Sequence, residues 1–289
     1  MKFLPGFWTH IIFGKDVLQE VGLDPDSERK GEFNLGCLFT DIGKYCEKNS
    51  PEYLLWKLSH TTGCDAFAGV LCRELEGVSR FYVMGVFCHF FLDLSVSQYI
   101  MARAGTGYRS GQLEIMIDRT ILKERLTADI LKLRPLAELP PSIDEELERT
   151  IQRTAGEVYN IDSPSITRAV DSMKDIFDDY YGRSRLFLFF KALFLKGESI
   201  ESAFFRDTHD DPMNFGMRPW FHSIAGWESR LTFRDLYGKA VSDAVRFLHR
   251  YLDGEEDWSL PAMSLMTGLP LMEQEDNKNV EGRETTARH

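Results

Sequence analysis

Residues 81–100 read "FYVMGVFCHFFLDLSVSQYI", an apolar run nearly long enough to cross a bilayer, with His89 and Asp93 in its middle. A carboxylate near the centre of a lone membrane span is costly, so the run predicts a helix buried inside a folded domain rather than a transmembrane segment. In such a helix, positions i and i+4 share a face, and the His89 imidazole and the Asp93 carboxylate point the same way. A carboxylate buried in apolar surroundings needs compensation. Two partners would supply it: a hydrogen bond from His89, or a divalent cation such as zinc that takes both groups as ligands.

The rest of the chain agrees with a helical protein. Apolar positions recur at three- and four-residue spacings over 9–22, 33–47, 50–58, 63–76, 79–102, 109–132, 143–158, 164–195, 198–204 and 231–253, and alternating strand patterns are scarce. With 43% of 289 residues hydrophobic, the chain can build a substantial core. The expectation is one all-α, multi-helix domain over residues 1–265, followed by a polar, aperiodic and disordered tail at 266–289. "LAELPPSIDEE" marks a turn, with Ser142 and Glu145 spaced for a capping box. "RLFLFFKALFL", 185–195, is too short to span a membrane, is interrupted by Lys191 and reads as core helix.

Charge and cysteine usage narrow the partners. The net charge is −11 and no Lys/Arg run is present, so nucleic acid is not an expected partner. No basic amphipathic stretch marks a helix for docking on a membrane surface. The N-terminal "MKFLPGFWTHIIFGKDV" lacks a small-residue cleavage site before Lys15 and Asp16. Five cysteines without a C-x-x-C pair suit reduced thiols, and the expected location is cytoplasmic.

Seven histidines are few enough for their placement to inform. His10 opens an amphipathic helix in "WTHIIFG", His60 sits near a loop or helix start in "KLSHTTGCDAF", and His89 leads "HFFLD". Asp41 follows an apolar stretch in "FNLGCLFTDIGKY", and Glu114 and Asp118 share a helix face in "GQLEIMIDRTI". Side chains of these types projecting inward from several helices build metal sites in helical proteins. Singly, each has a structural reading. His10 can be a helix-start residue, Asp41 a cap, His60 a partner for a loop carbonyl, and Glu114 with Asp118 a solvated face. His209, His222 and His249 lie in polar or C-terminal contexts and receive no role.

Taken in order, "WTHIIFGKDVL", "FNLGCLFTDIG", "LSHTTG", "YVMGVFCHFFLDLSVSQYI" and "GQLEIMID" resemble the successive motifs of the zinc-dependent phospholipase C family. "RPWFHSIAGWESRLTFRDLYGKAVSDA" resembles its closing segment, so the likeness spans residues 5 to 255. The resemblance implies the all-helical phospholipase C and single-strand nuclease fold, with a zinc cluster that hydrolyses phosphodiester bonds of phospholipids. It implies metal ligands at His10, Asp41, His60, His89, Asp93 and Glu114, with Asp41 as ligand or base and Asp93 bridging metals.

The pattern also departs from that family. Ser97 and Gln98 stand where a histidine is usual, and Ser110 stands where a second histidine precedes the glutamate by four residues. Hydroxyls are weak zinc ligands beside imidazole, so a reduced cluster of one or two Zn²⁺ ions is expected. The expected function is a phospholipase C-like, metal-dependent phosphoester hydrolase acting on a small phosphoester or a phospholipid, with peripheral membrane contact. The alternative is a catalytically degenerate helical scaffold or binding protein of the same fold.

Overall fold

The computed structural model describes residues 6–178, 202–205, 207–255 and 257–271. The expectations for residues 185–195, for most of the second half of 164–195 and for 198–201 therefore lie outside the described residues. Among the described residues the protein is helical, with helices α1 (Phe7–Glu20), α2 (Lys30–Leu38), α3 (Pro51–Thr61), α4 (Cys64–Leu75), α5 (Arg80–Ala104) and α6 (Tyr108–Leu126). These are followed by α7 (Glu145–Tyr159), α8 (Ile166–Phe177), a helical turn at Ser202–Phe205, and α9 (Phe233–Leu252). A two-residue antiparallel hairpin, β1 (Trp220–Phe221) and β2 (Glu228–Ser229), was not legible in the sequence.

Helix α5 is the axis of the fold. Ser79 caps its start by accepting the Tyr82 N–H, and α2 and α9 pack along its sides. By length and composition it could cross a membrane, yet 78% of its most apolar window is buried inside the protein. Its crossing with α2 is unusually close. A Cβ on Gly36 would collide with the Tyr82 carbonyl oxygen, and one on Gly85 with the Phe33 carbonyl oxygen. Only a pair of glycines lets these two backbones touch, and that contact sets the height of His89 against α2.

Three local readings are corrected. The expected helix 33–47 stops at Leu38 and continues as a 3-10 helix, Phe39–Tyr45, because Phe39 takes φ 42° and ψ −125°. The Phe39 ring is buried against His89 and Phe67, and this packing holds a backbone conformation that side chains rarely adopt. Helix 109–132 likewise ends at Leu126, where Thr127 turns left-handed. The capping residue of α7 is Asp144, which accepts the Glu146 and Leu147 N–H groups, rather than Ser142.

The C-terminal boundary also moves. Met266 donates its N–H to the His60 carbonyl, and Met263 pairs with Pro270, so residues 266–271 belong to the packed domain. The rest of the expected tail, 272–289, lies outside the described residues. All five cysteines are free and buried.

Candidate metal centre

Each histidine of the site is braced from behind by a backbone carbonyl. His60 stands in the last turn of α3, not in a loop, and its Nδ1 lies 2.7 Å from the Trp56 carbonyl one turn earlier. His89, at the middle of α5 and fully buried, places Nδ1 3.1 Å from the Cys37 carbonyl, which the Gly36–Gly85 crossing brings within reach. His10, in the first turn of α1, places Nδ1 2.7 Å from the Gly6 carbonyl. A carbonyl can only accept, so every Nδ1 carries the proton and every neutral ring turns a bare Nε2 inward.

What these nitrogens face is acidic. Asp93, one turn beyond His89, spreads its two oxygens over both sides of the site. Its Oδ1 lies 3.1 Å from His10 Nε2, and its Oδ2 lies 3.4 Å from His60 Nε2 and 3.5 Å from His89 Nε2. Asp41, aimed inward by the 3-10 helix, sets Oδ1 3.3 Å from His60 Nε2. His60 Nε2 and His89 Nε2 are themselves 3.1 Å apart. Two neutral rings braced in this way present lone pairs to each other, and the arrangement is stable only with a shared proton or a cation between them.

The donor set fits a metal. One ligand atom from each of Asp41, His60, His89 and Asp93 lies within 4.8 Å of all the others, and all four residues are buried. The neighbouring donors, 3.1–3.5 Å apart, are spaced as ligands on an ion such as Zn²⁺ are, whose bonds are about 2 Å long. Carbonyl braces on the distal nitrogens are the outer support that such ligands require. Without thiolates, the set accommodates manganese or iron as well as zinc. His10 stands apart from the four and meets the site through Asp93 Oδ1.

The charges respond to the same crowding. Burial works against the Asp93 carboxylate, but His89, His10 and His60 overcome it and hold the group far below the usual carboxylate range. Asp41 is also held well below that range against burial, chiefly by the Lys44 ammonium and His60. For His60, burial opposes the charged ring, yet hydrogen bonds to Asp41 and Asp93 raise it to about 9. Burial dominates at His89 and lowers it to about 4. With no metal bound, a proton on His60 takes the place of the cation.

Glu114 and Asp118 separate. Glu114 lines the same cavity, with Oε2 close to Gly6 beside His10, but it is not one of the four clustered donors. Burial, with Asp41, Asp93 and Asp118 nearby, raises its carboxyl to about 8 despite Lys44. Asp118 does not lie on a solvated face. It is buried and accepts the Trp8 and Thr9 N–H groups and the Thr9 hydroxyl, capping from α6 the start of α1, where Gly6 offers no side-chain cap. It therefore holds the helix that carries His10.

Two site residues escaped the sequence reading. Lys44 lies 2.7 Å from Asp41 Oδ2, and Trp56 donates its indole N–H to Asp41 Oδ1 at 3.0 Å while its carbonyl braces His60. The available signals were the i,i+3 spacing of Asp41 and Lys44 and the i,i+4 spacing of Trp56 and His60. His222, assigned no role, is buried and structural: Nε2 donates to the Thr267 carbonyl at 2.7 Å, and Nδ1 accepts the Ala225 N–H.

His10, Asp41, His60 and Asp93 form the floor of a cavity of about 620 Å³, walled by Tyr53, Trp56, Ile100, Met101 and Phe233, with His89 fully buried behind them. Lys44 and Lys48 are its basic lining residues, and Ser97, Ser110 and Glu114 occupy one side. No family model, no curated protein and no solved structure matches the chain.

Proposed function

We propose that this chain is a metal-dependent phosphoester hydrolase, working with one well-held divalent ion at Asp41, His60, His89 and Asp93 and a weaker second position between Asp93 and His10. The observation that carries the proposal is the set of carbonyl-braced imidazoles facing two carboxylates at the floor of an open cavity. The ordered motifs that resemble zinc-dependent phospholipases C support the reaction class. The free, buried thiols are in keeping with a cytoplasmic setting.

A divalent ion supplies Lewis acidity, making water a nucleophile near neutral pH and drawing charge from a phosphoryl oxygen. The protein's own groups do the rest. Asp93, with Oδ1 toward His10 and Oδ2 toward His60 and His89, would serve as a ligand on either side. Asp41 is too weak a base to keep a proton near neutrality and acts as ligand and acceptor, orienting water. Lys44 sets a positive charge beside Asp41 at the cavity wall, where it attracts an anionic phosphate. Glu114, still protonated near pH 7, faces the same space and is suited to protonate a departing alkoxide. The apolar walls favour a substrate with a hydrocarbon part, a phospholipid or another small phosphoester, over a nucleic-acid strand.

A second reading rests on Ser97 and Ser110. Ser110 spends its hydroxyl on the Gly107 carbonyl of its own helix and contributes no ligand. In that reading the fold is a scaffold that keeps a structural ion. The two are separated by turnover of bis-p-nitrophenyl phosphate, p-nitrophenyl phosphate and phosphatidylcholine with added Zn²⁺, Mn²⁺ or Co²⁺. Hydrolysis that disappears in His89→Ala supports the enzyme; no turnover with any metal, in a protein shown to hold one, supports the scaffold.

A further inference from the structure

Six of the eight exposed large hydrophobic residues among the described residues fall within one stretch of seventeen: Phe215, Met217, Phe221, Ile224, Trp227 and Leu231, each 42–57% exposed. They surround the β1–β2 hairpin, and the concentration is far from the scattered single residues normal on a protein surface. We infer that this hairpin is a docking surface for the face of a phospholipid bilayer that carries anionic headgroups.

Three observations favour a bilayer over other occupants. First, the N–H groups at the hairpin tip are bonded from within. His222 donates its N–H to the Trp227 carbonyl at 3.0 Å, Gly226 donates to the His222 carbonyl at 2.9 Å, and the Ala225 N–H reaches His222 Nδ1 at 3.0 Å. With the His222, Ile224, Ala225 and Gly226 N–H groups satisfied, fewer polar groups are left to strand when the tip meets the headgroup and acyl boundary. His222 is in turn anchored to Thr267, so the tip is held rather than loose.

Second, the apolar side chains are mixed with arginines in a chain of strongly acidic balance. Arg218, Arg230 and Arg234 lie among the exposed apolar residues, with Glu228 between them and Asp210, Asp211 and Asp235 at the margins of the stretch. Their partners, Asp210, Glu228 and Glu124, form exposed ion pairs worth little in water, which leaves the guanidinium groups able to exchange them for phosphate. Trp227 and Phe221 beside arginine form the composition of a membrane–water boundary, an apolar body with a cationic edge.

Third, a second copy of the chain is a poor occupant. A two-fold interface through this patch would bury the three arginine ion pairs of each copy, a desolvation cost that a layer of headgroup phosphates, which offers new partners, does not impose.

The test is co-sedimentation of the full chain with vesicles of equal parts phosphatidylcholine and phosphatidylglycerol, beside vesicles of phosphatidylcholine alone. The wild type should bind the anionic vesicles, and Ile224→Asp, at the exposed tip, should weaken binding by about tenfold or more. Arg218→Gln with Arg230→Gln should remove the preference for anionic vesicles, while Leu126→Ser, exposed on α6, should change nothing. Phe221→Ser is the substitute if Ile224→Asp does not fold by circular dichroism. Wild-type protein left in the supernatant, or an Ile224→Asp variant that binds as well as wild type, would overturn the inference. So would concentration-dependent dimers, seen by ultracentrifugation and broken by Ile224→Asp, with no vesicle binding. Binding should survive EDTA, so its failure is distinct from failure of the proposed hydrolase.

Discussion

The histidine cluster at the floor of the cavity and the outer side lined by Ser97, Ser110 and Glu114 hold their polar groups in opposite ways. In the histidine cluster, His10, His60 and His89 each tie one ring nitrogen to a backbone carbonyl and present the other. On the outer side, Ser110 bonds a carbonyl of its own helix, and Glu114, without such fixed donors, rises to about 8. Where burial and neighbouring acids outweigh the one nearby cation, Lys44, the buried Glu114 carboxyl keeps its proton, whereas braced imidazoles between two carboxylates call for a positive charge. Bracing, more than residue type, separates a ligand from a lining group.

The most severe way to break this contrast is to push α2 away from α5. Gly36→Ala forces a methyl group into the Tyr82 carbonyl and should cost about 3 kcal/mol or more, read by chemical denaturation. It should also abolish tight metal binding by moving the Cys37 carbonyl from His89. Retained stability and metal would show that the crossing is looser than described. His89→Ala removes a ligand outright and should lower metal affinity by more than about 100-fold, beyond the loss expected for a missing brace, as measured by competition with a chromophoric chelator.

Acidity gives the next effect. Loading the site requires His60, raised to about 9 without metal, to give up its proton, so affinity should rise with pH up to about 9, roughly tenfold per unit for one proton displaced. The metal-free protein should behave in the opposite way. A histidine whose folded value is raised contributes stability that is complete below about 6.5 and is lost as pH climbs through about 9. His89, lowered by burial to about 4, has the reverse sign and acts lower, between about 4 and 6.5. Thermal melts at pH 6.5 and 9 with and without Zn²⁺ should therefore show slopes of opposite sign; parallel slopes would contradict the exchange of proton for metal.

A smaller change sharpens the account of α1. Asp118→Ala leaves the Trp8 and Thr9 N–H groups without their cap and should cost about 1–2 kcal/mol, with Asp118→Asn losing less. The smallest effect is expected on the outer side itself. Ser97→His with Ser110→His should leave stability nearly unchanged while adding weak uptake of another ion near Glu114. No added uptake would mean that new ligands without braces are insufficient.

How much of this was legible depended on distance along the chain. The apolar run of α5 and the i,i+4 pair His89 and Asp93 are local features, and the helix formed where the pattern placed it. The break at Phe39 was hidden, because apolar spacing continues through it while the backbone turns under the pull of Phe67 and His89. Asp118 looked like half of a surface pair because its partners, Trp8 and Thr9, are about a hundred residues away. The placement of His10 beside Asp93 came from an ordered resemblance of motifs, since no local period links residues 83 apart. Residues 266–271 read as tail because one bond, from Met266 to the His60 carbonyl, leaves no periodic trace.

The central claim, that the floor is a built cation site, is tested most directly by elemental analysis of folded protein purified after zinc-replete expression. The wild type should hold at least about one ion per chain and His89→Ala should hold almost none. A folded wild type with less than about half an ion per chain would contradict the account, and the braced histidines would then have to be explained by protons alone.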